Sequence, residues 1–207
     1  MSKLKDEILK SALRLFNEHG ISQVSLRDIS SAMGISLGNL TYHFKKREEI
    51  VDALYLNLVS KLNEVINEHL GTKTQFQLLF EIPRATLSNF YAYRFLMLDF
   101  VLITRNHSSI GNHYRKLIAE REQQFEMLIK DLRAAKLLRE PLFDNEYRYL
   151  FKNLRIVSDF WLSSNAIDSN DKTSEKDVLE GTQLLENIIY PYLTSEGRTA
   201  FLEWKKK

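Results

Sequence analysis

The sequence predicts an all-α protein, with a small three-helix unit at the front and a larger helical body behind it. Three observations predict it. The 207 residues include only three prolines and seven glycines, and most of these fall between segments whose apolar residues recur at helical spacing. No stretch alternates apolar and polar residues as a half-buried strand would. The composition, 44% hydrophobic and 27% charged, is that of a globular chain able to bury a core.

The elements follow in order. Leu4, Ile8, Ala12, Leu15 and Phe16 form the stripe of a first helix, and Gly20 stops it. A second helix over 25–32 starts at Ser25, a good N-cap, with Asp28 favouring the positive end of the helix. Met33-Gly34-Ile35 joins it to a third over 36–43, which starts at Ser36. A fourth, from about 46 to 69, carries Ile50, Leu54, Leu58, Leu62 and Val65/Ile66 on one stripe. Further helices are expected at about 74–82, 84–104, 111–137, 144–165 and 175–194, with a tail helix near 195–205. Pro83 is expected to break or kink the chain, Pro141 to mark a loop and Pro191 a helix end. The polar stretch "AIDSNDKTSEKD", residues 166–177, is expected to be a mobile connection. No flexible linker separates front from rest, so the fourth helix is expected to cross the boundary rigidly. The expected division is 1–47 and 48–207.

Composition excludes several classes. The chain has no cysteine, hence no disulfide framework or thiolate metal site, which fits a reducing cytoplasm. The first ten residues lack the apolar core of a signal peptide. The run "FLMLDFVLI" is far shorter than the ~20 residues of a membrane span. There is no Ser/His/Asp order with supporting turns, no Gly-rich phosphate loop and no paired-acid constellation, so neither an enzyme nor a cofactor is expected. His107 and His113 are too far apart to share a helix face as ligands, and no metal site is expected. The net charge is +2, and residues 1–50, with eight Lys/Arg against six Asp/Glu, hold all of the excess. This is a mild sign of an anionic partner at the front.

The stretch "AMGISLGNLTYHFKKREE" sharpens that sign. Two helices of about eight residues joined by a three-residue turn containing glycine form a helix-turn-helix pattern. Helices so short are marginal alone, and Val24, Leu26, Ile29, Met33, Ile35 and Leu40 can hold them against Phe16 and Phe44. Arg27, Leu37, Gly38, Asn39, Thr41, Tyr42 and His43 are left to face outward. Their chemistry suits double-stranded DNA. Gly38 permits close approach, Asn39 can pair with adenine edges and Thr41 can touch a thymine methyl. Tyr42 and His43 can donate to phosphate oxygens, Lys45 and Lys46 supply charge, and Ser25 with Arg27 can clamp a phosphate. Each residue also has a purely structural use. Ser25 and Ser36 are caps first, Tyr42 can pack on the fourth helix, and Lys45 to Arg47 can be a solvated helix start.

Residues 4–54, "LKDEILKSALRLFNEHGISQVSLRDISSAMGISLGNLTYHFKKREEIVDAL", resemble the DNA-binding domain of the tetracycline-repressor (TetR) family of bacterial transcription regulators. The resemblance is strong over about residues 4–60 and one of length and architecture beyond. It implies base or groove contacts from Leu37, Gly38, Asn39 and Thr41, and phosphate contacts from Ser25, Arg27, Tyr42, His43 and Lys46. Thr41 stands where the family commonly has an aromatic, and Leu37 where it often has lysine or a polar residue.

One helix-turn-helix reads only a few base pairs, so a homodimer on a near-palindromic operator is expected. The apolar faces expected to pair as a four-helix interface carry Tyr147, Phe151, Leu154, Ser158 and Trp161 on one helix. The other carries Leu185, Ile188, Ile189 and Tyr192, with Gly181 and Thr182 permitting close approach. Packing inside the subunit is the alternative use of both faces. The middle helices are rich in aromatics. Phe76, Phe80, Phe90, Tyr93, Phe100, Tyr114 and Phe125 can be core or can line a cavity for an apolar or amphipathic effector, the use the resemblance favours. Asp99, if buried, needs a partner such as Arg94 or Arg105. The expected protein is a cytoplasmic, effector-released repressor; the alternative is a helical adaptor or a ligand-independent regulator on the same fold.

Overall fold

The computed structural model describes residues 3–168 and 174–206. Eleven α-helices make up nearly all of it: α1 (Lys3–His19), α2 (Leu26–Ala32), α3 (Leu37–His43), α4 (Arg47–Thr72), α5 (Gln75–Ala92), α6 (Arg94–Leu98), α7 (Phe100–Asn106), α8 (Ser108–Ala134), α9 (Glu146–Asp168), α10 (Glu175–Ile189) and α11 (Ser195–Lys205). Short 3-10 turns at Ile21–Gln23 and Tyr190–Tyr192 complete it, and among the described residues the only β-type pairing is an isolated bridge between Leu138 and Leu193. The expected loop at 166–177 is helix up to Asp168 and resumes at Ser174, which caps α10; residues 169–173 lie outside the described residues.

The front unit packs as its sequence demands. Ile8, Ala12, Phe16, Val24, Ile29, Leu40 and Phe44 are buried, with Leu26, Met33 and Ile35 packed against them. Ser25 caps α2 reciprocally, its hydroxyl accepting from the Asp28 amide while the Asp28 carboxylate accepts from the Ser25 amide at 2.8 Å. At the other end Gly34 takes a left-handed φ of 67°. The Ile35 amide donates to the Ser30 carbonyl and the Gly34 amide to the Ser31 carbonyl, both at 3.1 Å, which closes α2 in a Schellman turn.

Two expectations about the middle of the chain are corrected. Pro83 does not end a helix but sits inside α5. Its missing N–H orphans only one carbonyl, and Leu78, Leu79, Phe80, Leu87 and Phe90 on both sides of it are buried, which keeps the helix continuous. The breaks fall later, at Tyr93 and Asp99, so the expected helix 84–104 is the end of α5 followed by α6 and α7. Phe95, Leu96 and Met97 are buried in succession, which a straight amphipathic helix cannot arrange. Asn17 of α1 satisfies the backbone freed at the first joint: its amide donates to the Ala92 carbonyl at 2.8 Å, and its oxygen accepts from the Phe95 amide at 3.1 Å. Asp99 is half-buried at the second joint, and burial raises its pKa. Arg94 lies over the Tyr91 ring instead of pairing with it.

A polar knot closes the other end. Arg139 grips the buried Glu146 through two hydrogen bonds of 2.9 and 2.6 Å, and Glu146 also accepts from the Leu142 amide. Arg139 lies over the Tyr192 ring, and the Tyr147 hydroxyl donates to the Arg139 carbonyl. The fork with Arg139 is the main reason that the Glu146 carboxyl titrates at about 2 instead of its ordinary 4.5. A depressed carboxylate stabilises the fold above its unfolded pKa and loses that contribution as pH falls through the folded value. Glu146→Gln is therefore expected to lower the melting temperature at neutral pH. The gap to wild type should close as pH falls from about 4.5 toward about 2, as followed by thermal denaturation.

Candidate nucleic-acid interface and ligand cavity

On α3 one residue, Leu40, is buried, and the helix presents the rest of its surface to solvent. Ser36 caps it by accepting from the Asn39 amide at 3.2 Å. Leu37, Gly38, Asn39 and Tyr42 are exposed, Tyr42 to 83%, while Thr41 and His43 are half-buried. The Thr41 hydroxyl donates back to the Gly38 carbonyl at 3.1 Å. The Tyr42 and His43 rings meet edge to face with centroids 5.2 Å apart. A Cβ added at Gly38 would lie 4.0 Å from the Ser36 hydroxyl, an ordinary contact, so nothing in the fold itself excludes a side chain there. Ser25, Arg27 and Lys46 are also exposed, but the Ser25 hydroxyl is committed to Asp28 at 2.6 Å. The neighbouring cation Arg47 turns inward and donates to the carbonyls of Ile21 and Val24, tying the first residues of α4 to the turn before α2.

In the body a cavity of about 580 Å³ opens between α4, α5, α6, the start of α7, α8 and α9. Phe90, Phe100, Tyr114 and Phe125 line it, as the aromatic pattern suggested. Phe76, Phe80 and Tyr93 do not. Phe80 instead packs on Phe76, Phe201 and Trp204 beneath α11, and Tyr93 is buried at the α5–α6 joint under Lys61. The tail helix, too short and polar to look like a core element in the sequence, provides the competing partner. The sequence reading missed the contribution of α4, where Tyr55, Leu58, Val59, Leu62, Ile66 and Leu70 face the cavity. The stripe that runs from Ile50 and Leu54 on through Leu58, Leu62 and Ile66, longer than the front unit can cover, was the available signal.

It also missed the polar group in this apolar wall. The Tyr114 hydroxyl donates to the buried Asp159 carboxylate, and Arg155 lies 3.9 Å from the same oxygen. Burial outweighs both and pushes the Asp159 pKa up to about 6, and burial likewise raises that of Tyr114. Two further hydrogen bonds tie α4 to the region of α8: His107 donates to Asp52 at 3.0 Å, and the Tyr55 hydroxyl shares a bond of 2.9 Å with His113. The two histidines are thus used in hydrogen bonds between helices.

The faces of α9 and α10 divide differently from the sequence expectation. Leu154, Trp161, Leu185 and Ile189 are buried inside their own chain, and Phe151, Ser158, Ile188, Tyr147 and Tyr192 are half-buried within it. Gly181 lets α10 approach α9 and α5, since a Cβ there would lie 3.0 Å from the Trp161 ring. The outward apolar residues are Tyr149, Ile156, Phe160 and Ile167 on α9 and Leu179 and Leu184 on α10. Both sides of α9 are apolar, and the chain's own core takes the one that carries Leu150, Leu154, Trp161 and Leu162.

The comparisons with known proteins agree with this architecture. Residues 8–54 match the family of bacterial regulatory proteins, tetR family, and residues 57–201 match the family TetR, bacterial transcriptional repressor. The chain belongs to the TetR family. That is a class of regulators, not of enzymes. A probable acrEF/envCD operon repressor of Escherichia coli K12 is 32% identical over 68 residues, covering 33% of this chain and 30% of that one. The transcriptional repressor KstR2 of Mycolicibacterium smegmatis is 31% identical over 70 residues, 34% of each chain. This chain thus spans about a third of the length of the curated relatives it matches. A TetR-family regulator from Marinobacter aquaeolei VT8 superposes with a TM-score of 0.84 at 19% identity, over 100% of this chain and 98% of that one. No helix among the described residues is long and apolar enough to cross a membrane.

Two measurements check the site. Gly34→Ala forces a side chain into a left-handed backbone and is expected to destabilise the TetR fold by about 1 kcal/mol, whereas Gly38→Ala should leave stability unchanged or slightly raised. Asp159 has a raised pKa, so its contribution is fully present below the unfolded value of 3.8 and is lost as pH rises through about 6. The melting temperature of wild type relative to Asp159→Asn should therefore fall across that window, and parallel profiles would contradict the assignment.

Proposed function

We propose that this TetR-family chain is a cytoplasmic, homodimeric transcriptional repressor that binds a near-palindromic operator in double-stranded DNA. A small apolar or amphipathic effector releases it. Residues 1–47 form the reading head, and residues 48–207 form the effector-binding and dimerising body. The observation that carries this reading is the exposed surface of α3, where Tyr42 is 83% exposed while Leu40 on the same short helix is fully buried. A helix this short has no use for such a surface in its own packing. Leu37, Gly38, Asn39 and Thr41 meet base edges, and Arg27, Tyr42, His43 and Lys46 grip phosphates, with Ser25 placed at the same strand.

The outward residues of α9 and α10, centred on Ile156 and Phe160, supply the surface that a second copy covers. The cavity falls within the volume range of small-molecule sites. The α5–α6 joint beside it is hydrogen-bonded to the head through Asn17 and packed on it through Phe16, whose ring lies 5.1 Å from that of Phe95. An effector that prefers one setting of that joint shifts the spacing of the two heads.

Selection of bound fragments from the source genome, followed by gel shift, tests the reading. Tyr42→Ala with Lys46→Ala is expected to weaken operator binding at least tenfold and to flatten its salt dependence, with dimer mass unchanged in sedimentation. Retained binding by that variant would rule out α3 as the reading helix.

A further inference from the structure

A second space lies against the first. It has a volume of about 470 Å³ between the N-terminal halves of α8 and α9, and its lining includes Arg115, Arg148, Lys152 and Arg155. Tyr114, Ile118, Phe151 and Arg155 line both spaces, so the apolar cavity and this outer one share a wall. The only acid among the described lining residues is Glu122, which pairs with Arg148 at 3.0 Å. Arg155 is drawn toward Asp159 at 3.9 Å, and Arg115 donates to the Asn112 side chain. Among the described residues no carboxylate pairs with Arg115 or Lys152.

The inner acid does not call for a cation, because Asp159 already accepts from Tyr114 and faces Arg155. The unneutralised charge is positive and sits at the outer space. Resting on the effector reading above, we infer that the effector is an anionic amphiphile. Its apolar body fills the inner cavity, and its carboxylate or phosphate head emerges past Ile118 and Phe151 to Arg115, Lys152 and Arg155. Arginine and lysine bind such oxygens through charge-assisted hydrogen bonds, and the arginine fork suits either head. Arg155 stands where the two parts of the ligand meet, since it lines both spaces.

Calorimetric titration of the full chain with four single-chain probes of equal length tests this: dodecanoate, dodecyl phosphate, dodecanol and dodecyltrimethylammonium, each below its micellar concentration. Both anions, or one of them, should bind at least roughly tenfold tighter than the alcohol, the ammonium weakest, and the preferred anion identifies the head. Arg115→Glu with Lys152→Glu, both on the surface, should erase the preference for the anion while leaving the alcohol's affinity and operator binding unchanged. If the alcohol binds as tightly as both anions, or the ammonium binds tightest, the inference is overturned while the cavity reading stands. If none of the four binds, both fall.

Discussion

The structure turns on α4, a single helix that is buried in two places at once. Ile50, Val51 and Leu54 close the core of the front unit against α1, and Tyr55, Leu58, Val59 and Leu62 form a wall of the cavity directly after them. One continuous backbone hydrogen-bond ladder joins the two sets, so neither half can rotate without the other. Short helices such as α2 and α3 cannot persist alone, and they owe their geometry to this shared core. The exposed surface of α3 is therefore a property of the whole packed chain and not of the two short helices alone.

Polar groups fix what apolar packing leaves free. Hydrophobic burial is non-directional and would tolerate several settings of α6 and α7. Asn17 removes that freedom by satisfying the carbonyl and amide that the break at Tyr93 exposes. The Asp52–His107 pair does the same where α7 meets α8. At the far end Arg139, Glu146, Tyr147 and Tyr192 lock the loop between α8 and α9 against the turn before α11. The segments between these fixed points, α5 through α8, line the cavity together with α4 and α9.

Much of this was legible in the sequence. Capping residues and Gly34 set the limits of α2 and α3, and the apolar positions around Phe16 and Leu40 named the front core, because local rules and packing agree there. The body was less legible for identifiable reasons. Pro83 reads as a break, but burial on both of its sides outweighs one lost hydrogen bond. Tyr93 and Asp99 carry no breaker signal, and the helix divides there only because Phe95, Leu96 and Met97 all find room inside. Phe76 and Phe80 look like cavity aromatics until α11 is known to cover them. On α9 both faces are apolar, so periodicity could not say which one the chain keeps for itself. Asp159 stood in plain view, but its meaning depends on Tyr114, forty-five residues earlier, and no local pattern links the two.

The claim on which the rest depends is that the cavity and the reading head are energetically one system through α4 and the α5–α6 joint. Thr86, which lines the cavity, offers a direct measurement without any identified effector. Thr86→Trp fills the space from within, and operator affinity is measured for a variant shown to remain folded and dimeric. Coupling of ordinary size predicts a loss of roughly five- to a hundredfold, reduced when Asn17→Ala releases the joint in the same chain. Operator affinity equal to wild type in the filled, folded protein would contradict it.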